Sequence, residues 1–130
     1  MRLPHLLLAA LTTTTAAADD EARTNYLLHC RGCHMPNGTG VPPYVPTLIN
    51  ELGRIVATPK GREYVVRVPG VSQANLSDAD LAVVLNWVLT EFNAETLPRD
   101  FTPYSASEVA AARAKVLPDP LGYRQALVRD

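Results

Sequence analysis

The chain is poor in cysteine, methionine and aromatic side chains, and neither sign of charge is in excess. Its 130 residues include two Cys, two Met, one Trp and 6% aromatics, with 12 Lys+Arg against 13 Asp+Glu. A net charge of −1 leaves no basic stripe of the kind that releases counterions from phosphates, so a nucleic-acid partner is excluded. Beyond the N-terminal stretch there is no run of about 18 apolar residues, which argues against a membrane-spanning helix in the rest of the chain. Few aromatics together with 11 Pro mean that part of the chain is loop, and the length suits one modest domain with a small core.

What is present begins at the N-terminus. Met1, Arg2 and His5 form a polar head, Leu6 to Leu11 an apolar run, and Ala16-Ala17-Ala18 places small residues just before Asp19-Asp20. That order reads as a secretory signal peptide over residues 1–18, cleaved near Ala18. The alternative, a buried N-terminal helix or membrane anchor, has against it a run too short to span a bilayer and the poor helix formers Thr12 to Thr15. Cleavage leaves Met35 as the remaining methionine, with His29 and His34 as the histidines.

Both cysteines fall in one pentapeptide, Cys30-Arg31-Gly32-Cys33-His34. A structural zinc site needs four ligands, and Cys30, Cys33, His34 and His29 are too crowded along the chain to enclose a tetrahedron. A thioredoxin-type dithiol needs a strand before it and a βαβ setting, whereas Asp20 to His29 reads as helix. The third reading is covalent haem attachment, for which Cys-x-x-Cys-His is the specific signature. Two thiols three residues apart on a helical turn reach the two vinyl groups of one haem, and His34 is then held under the iron as proximal ligand. An export signal strengthens this reading, because such haem is attached outside the cytoplasm.

With this motif the sequence resembles the monohaem c-type cytochromes of bacteria, the class I cytochrome c domain of periplasmic type. The resemblance implies an all-α fold, with three to four core helices around one covalent haem c and a C-terminal helical extension. It divides the chain into a signal peptide (1–18), a cytochrome domain (19–93) and the extension (94–130). Asp19 or Asp20 is expected to cap a first helix over Glu21 to Arg31. Tyr26 stands where the family keeps an aromatic facing the last core helix, and Trp87 supplies the ring opposite it. The Gly- and Pro-rich stretch from Met35 to Leu48 looks like the family's haem-side loop. Within it Pro46 is the residue whose carbonyl would accept a hydrogen bond from the free nitrogen of His34, with a merely loop-stiffening proline as the alternative.

The last core helix is also legible from the residues. Ser77 and Asp80 approximate a capping box, and Leu81, Val84, Leu85, Val88, Leu89 and Phe92 recur at helical spacing. For Asn50 to Asn75, Thr58-Pro59 fits the cap and first turn of a helix running to about Arg67. Tyr64 to Val68 reads equally well as extended chain, and only the resemblance favours the helix.

The sequence departs from the family at the sixth iron position. Most members supply a methionine from a loop before the last core helix, often as Met-Pro; that place reads Val68-Pro69-Gly70-Val71. Met35 directly follows the proximal ligand, and its short tether keeps it off the opposite face. His29, Lys60, Gln73 and Asn75 are the replacements on offer, each with an ordinary surface or loop role as the alternative. Val68 or Val71 filling the space with carbon leaves the iron five-coordinate, which lowers its potential relative to Met/His ligation and admits small ligands.

Beyond Phe92, Ser105 with Glu108 caps a helix over Ser107 to Val116, and Asp119-Pro120 starts another over Leu121 to Val128. This extension either wraps the domain or docks a redox partner. Arg54, Lys60, Arg62 and Arg67 outnumber Glu63 between residues 54 and 67, a local basic excess that either steers an acidic partner or is solvated surface charge. The expectation is a periplasmic one-electron carrier, not an enzyme, serving periplasmic or membrane redox proteins. The alternatives are a five-coordinate haem protein binding a small ligand, and the cytochrome subunit of a periplasmic dehydrogenase.

Overall fold

The computed structural model describes residues 14–129. Most of the stretch read as a signal peptide therefore lies outside the described residues. Seven helices follow in order: α1 (Thr14–His29), α2 (Leu52–Ile55), α3 (Pro59–Arg67), α4 (Pro69–Ser72), α5 (Asp78–Phe92), α6 (Ala106–Arg113) and α7 (Pro120–Arg129). The only β pairing among the described residues is an isolated bridge between Val41 and Val45, so the fold is all-α as expected. No described helix is long and apolar enough to cross a membrane.

The first helix differs from its expected bounds. Its described part runs from Thr14, so Asp19 and Asp20 lie inside it rather than at its cap, and it ends at His29 rather than Arg31. Ala16 to Ala18 are strong helix formers that carry the helical backbone through the expected start. The carbonyl of Asp20 accepts the Thr24 hydroxyl at 2.8 Å, within the helix. At the other end the chain turns at Cys30, whose carbonyl accepts from the amides of Cys33 and His34.

α1 lies on α5 because each presents rings at the crossing. Tyr26, fully buried, sits 5.4 Å from Trp87 and 5.5 Å from Phe92 between ring centroids. Trp87 and Phe92 meet edge to face at 5.4 Å, the tilted geometry that aromatic quadrupoles favour. The expected Tyr26–Trp87 clasp is thus in place, and Phe92 completes a trio. α5 supplies most of the core through Leu81, Val84, Leu85, Val88 and Leu89. Its N-terminus is capped by Ser77, whose Oγ accepts from the Asp80 amide at 3.1 Å and donates to the Asp80 carboxylate at 2.6 Å.

The ambiguous segment resolves as helix. Thr58 Oγ1 accepts from the Gly61 amide at 3.0 Å and Pro59 occupies the first turn, where its missing N–H costs nothing. Tyr64, Val65 and Val66 of α3 are then buried. In the extension, Ser105 Oγ accepts from the Glu108 amide at 3.2 Å as expected, but α6 closes at Arg113, short of Val116. The last turn tightens, with the Lys115 amide donating to the Ala112 carbonyl at 3.0 Å, and the Arg67 guanidinium donates to the carbonyls of Lys115 and Val116 beyond it.

The extension packs on the body of the protein through polar side chains threaded across it. Arg62 donates to both carboxylate oxygens of Glu108 at 2.8 Å and to the Thr102 carbonyl at 2.9 Å. Its guanidinium lies over the rings of Tyr104 and Phe101, at 4.3 and 5.3 Å. Asn86 of α5 exchanges two hydrogen bonds with the backbone of Tyr104, at 3.1 and 2.8 Å. Tyr104 in turn donates from its hydroxyl to the Arg62 carbonyl at 2.9 Å.

Candidate functional site

The turn after α1 carries the two thiols. The Cys30 amide donates to the Tyr26 carbonyl at 2.9 Å, and the amides of Cys33 and His34 donate to the Cys30 carbonyl at 3.2 and 3.0 Å. This single turn holds Cys30, Cys33 and His34 together, as their spacing requires. Both thiols are free; Cys30 is half-buried against the core and Cys33 is exposed. Burial, helped by the neighbouring Cys33, pushes the Cys30 thiol up to about 11.

His34 is half-buried. Burial lowers its pKa below the usual 6.5; the Pro46 backbone opposes this and the positive charge of Arg124 adds to it. Burial thus favours the neutral ring, the form in which imidazole nitrogen binds a metal. Its Nδ1 is buried with no hydrogen-bond partner, so the Pro46 carbonyl lies close to the ring without completing a bond of ordinary distance and angle. An unpaired buried nitrogen is unfavourable, and the nearby Pro46 backbone is the acceptor closest to hand.

These residues fit a covalently attached haem. Two thiols three residues apart suit its two vinyl groups, and the neutral imidazole beside them suits its iron. Cys30, Cys33 and His34 would hold it, with Pro46 nearby.

The loop after His34 folds back on itself. The Met35 amide donates to the Thr39 carbonyl at 2.8 Å, the Gly38 amide to the Met35 carbonyl at 2.9 Å, and the Leu48 amide to the Gly38 carbonyl at 2.8 Å. Gly38 adopts φ 82°, and a Cβ there would come within 2.8 Å of the Phe92 ring. The left-handed conformation and the close approach both require glycine. The Met35 side chain points outward, 40% exposed, and its carbonyl also accepts from the Tyr26 hydroxyl at 2.7 Å.

The four nitrogen- or oxygen-bearing residues considered for the sixth position, His29, Lys60, Gln73 and Asn75, are all exposed. Val68 and Val71 pack against the core instead, with Pro69 opening the one-turn helix α4. The basic excess between residues 54 and 67 also shrinks. Arg62 is paired with Glu108, and Arg67 with Glu63 at 2.8 Å, leaving Arg54 and Lys60 without an ion pair among the described residues.

One contributor has no signal in the sequence. α7 packs on α3: Tyr123 stacks on Tyr64 at 5.8 Å with planes 3° apart, and Arg67 lies 5.8 Å over the Tyr123 ring. Arg124, only 15% exposed, pairs with Glu51. Burial raises the Tyr64 pKa, against the lowering effect of Arg124. These partners are far apart in sequence, so neither periodicity nor a local motif announces them.

No protein-family model matches the chain. Among curated proteins it is similar to cytochrome c-552 of Thermus thermophilus, at 35% identity over 106 residues, covering 68% of this chain and 81% of the relative. It matches a second cytochrome c-552 from the same species at the same identity, covering 72% of that relative.

Proposed function

The chain belongs to the class I c-type cytochromes, and from that premise we propose that it is a one-electron carrier with a single haem c bound through Cys30 and Cys33. The observation that carries the reading is the Cys30–His34 turn, with its paired free thiols and a half-buried imidazole whose burial favours the neutral form. Haem c, when bound, supplies an iron that cycles between ferric and ferrous states.

The protein's own residues then do three things. Cys30 and Cys33 fix the group covalently, so it is not lost between encounters. His34 presents a nitrogen lone pair from a ring whose burial favours the unprotonated form, with the Pro46 backbone close beside it. Tyr26, Trp87 and Phe92 form a packed wall that resists rearrangement and excludes water from that side.

The site of action in this reading is the periplasm, with cleavage near Ala18. The support is the order of polar head, apolar run and small residues in positions 1–18, together with the requirement that such haem be attached outside the cytoplasm. The partners are periplasmic or membrane redox proteins, a periplasmic dehydrogenase among them.

The test is a redox titration of the purified protein with haem analysis of the denatured chain. One covalent haem per chain and a reversible one-electron wave are expected; a chain without covalent haem overturns the proposal.

A second reading, an iron open to a small ligand, is supported by the sequence, which has no methionine after Met35 and reads Val68-Pro69-Gly70-Val71 before α5. It predicts that the ferric protein lacks a methionine-sulfur to iron charge-transfer band and that the reduced protein binds carbon monoxide. A clear charge-transfer band overturns it.

A further inference from the structure

The loop that follows His34 carries the longest uncharged run in the sequence. From Met35 to Asn50 there is no Lys, Arg, Asp, Glu or His, although charged residues make up 19% of the chain. The same loop is rich in exposed apolar surface. Met35, Val41, Tyr44 and Ile49 are all open to solvent, Tyr44 at 84%, and Pro36, Pro42 and Pro43 are exposed with them. A single exposed apolar side chain is ordinary, whereas a cluster without charge marks an interaction surface.

Contacts tie this surface to the attachment turn. The Pro46 backbone lies close beside His34, and a Cβ on Gly40 would collide with the carbonyls of Val45 and Pro46, so the two limbs of the loop touch at that point. From there the chain reverses through Val41 to Val45. The Val41 amide donates to the Val45 carbonyl at 2.8 Å, and the Val45 amide to the Val41 carbonyl at 2.9 Å. Met35 adjoins His34 in the chain, and its carbonyl holds the Tyr26 hydroxyl.

The surface is held in one shape before any partner arrives. Asn37 Oδ1 accepts from the Thr39 hydroxyl at 2.8 Å, and Thr47 Oγ1 accepts from the Ile49 amide at 3.1 Å. Pro36, Pro42, Pro43 and Pro46 each fix a backbone dihedral. Little conformational freedom is left to lose on docking. The basic segment between residues 54 and 67 is a weaker candidate for the contact, since Arg62 and Arg67 are already paired with Glu108 and Glu63.

We propose that Val41, Pro42, Pro43 and Tyr44, flanked by Met35 and Ile49, form the docking surface for the redox partner, and that the partner meets them with an uncharged, apolar face. The inference rests on the electron-carrier reading above and adds the chemistry of the partner. Interface cores are depleted in charge and enriched in aromatic side chains, and Tyr44 is the aromatic anchor. Apolar contact without facing charges makes the encounter insensitive to ionic strength. A small contact of this kind releases its partner readily, as a carrier requires after each electron.

The experiment uses the haem-loaded, reduced protein and follows its oxidation by stopped flow. The probe is a blue-copper protein whose copper is ringed by uncharged apolar residues; one ringed by carboxylates is the comparison. One electron leaves the reduced protein and converts Cu(II) to Cu(I), with no bond made or broken. The double variant Val41→Ser, Tyr44→Ser is expected to lower the second-order rate with the apolar probe by about tenfold, the factor for losing an aromatic anchor. Tyr44→Phe keeps the ring and is expected to hold the wild-type rate. Val116→Ser removes a side chain that is 81% exposed elsewhere and is expected to change nothing. The wild-type rate with the apolar probe should vary by less than about twofold between low and high salt.

An unchanged rate in the double variant overturns the proposal, as does equal slowing by Val116→Ser. A faster reaction with the carboxylate-ringed probe that falls steeply with salt overturns it too, because docking would then belong to the basic residues. Benzoquinone, a small neutral oxidant, needs no docking surface. A haem-loaded protein that yields no electron even to benzoquinone overturns the carrier reading itself, and the two failures are thereby told apart.

Discussion

The Tyr26 hydroxyl donates a 2.7 Å hydrogen bond to the Met35 carbonyl, so one buried phenol joins the helix before Cys30 to the residue after His34. The turn that bears the thiols and the imidazole is closed across its base by this bond. The same ring forms part of the α1–α5 contact, which couples the geometry of the turn to the core.

Replacing Tyr26 by Phe is expected to cost about 1 kcal/mol, since the ring packing remains and one buried hydrogen bond is lost. Its pH signature follows from burial, which pushes the Tyr26 pKa from 10.0 to about 12. The folded chain keeps a proton that the unfolded chain releases, so this contribution is complete below pH 10 and is lost as pH rises through about 12. Denaturant titrations on either side of pH 10 should therefore show wild type losing more stability on alkalinisation than Tyr26→Phe.

Asn93 is fully buried; its Oδ1 accepts from the Gly53 amide at 3.0 Å and its Nδ2 donates to the Val88 carbonyl at 3.3 Å. Asn93→Ala strands a buried backbone donor, and a loss of about 2 kcal/mol is expected. Chemical denaturation of the haem-loaded protein measures it, with the haem absorption spectrum expected to stay as in wild type.

At Gly38 the left-handed backbone and the Phe92 ring act together. Gly38→Ala is expected to destabilise by at least about 1 kcal/mol, the cost of placing a Cβ in that conformation, with steric strain added. Because Phe92 meets both Tyr26 and Trp87, its displacement should alter the near-ultraviolet circular dichroism of the aromatic trio.

Substituting Ser for Cys30 or for Cys33 alone is expected to leave one thioether, and substituting both to leave none. Haem staining after denaturing electrophoresis, with the mass of the chain, checks this: each single variant retains haem, and the double variant loses it to acid extraction. Retention by the double variant would exclude attachment through these thiols.

The sequence carried its clearest signals where partners are near neighbours along the chain. The Cys30–His34 motif needs one turn of backbone, and the caps at Ser77 and Ser105 pair each hydroxyl with an amide three residues on. Such features are visible because their geometry is set within a few residues. The bounds of α1 were misplaced for the complementary reason: aspartate is a good cap, but Ala16 to Ala18 before it carry the helix further back. For α3, alternating and helical patterns were equally good over Tyr64 to Val68. Burial of Tyr64, Val65 and Val66 beneath neighbouring helices decided it.

By itself, then, the sequence determined the chemistry that covalent attachment needs, because two thiols and an imidazole in one pentapeptide can act on a single group wherever that turn is placed. It also determined that no methionine stands after Met35. Only the tertiary structure decided that burial and the charge of Arg124 lower the His34 pKa while Nδ1 stays unpaired, and that Arg113 reaches back to carbonyls 37 to 41 residues away. Those are properties of burial and of charge-assisted bonds between distant segments, which exist only after the chain has closed on itself.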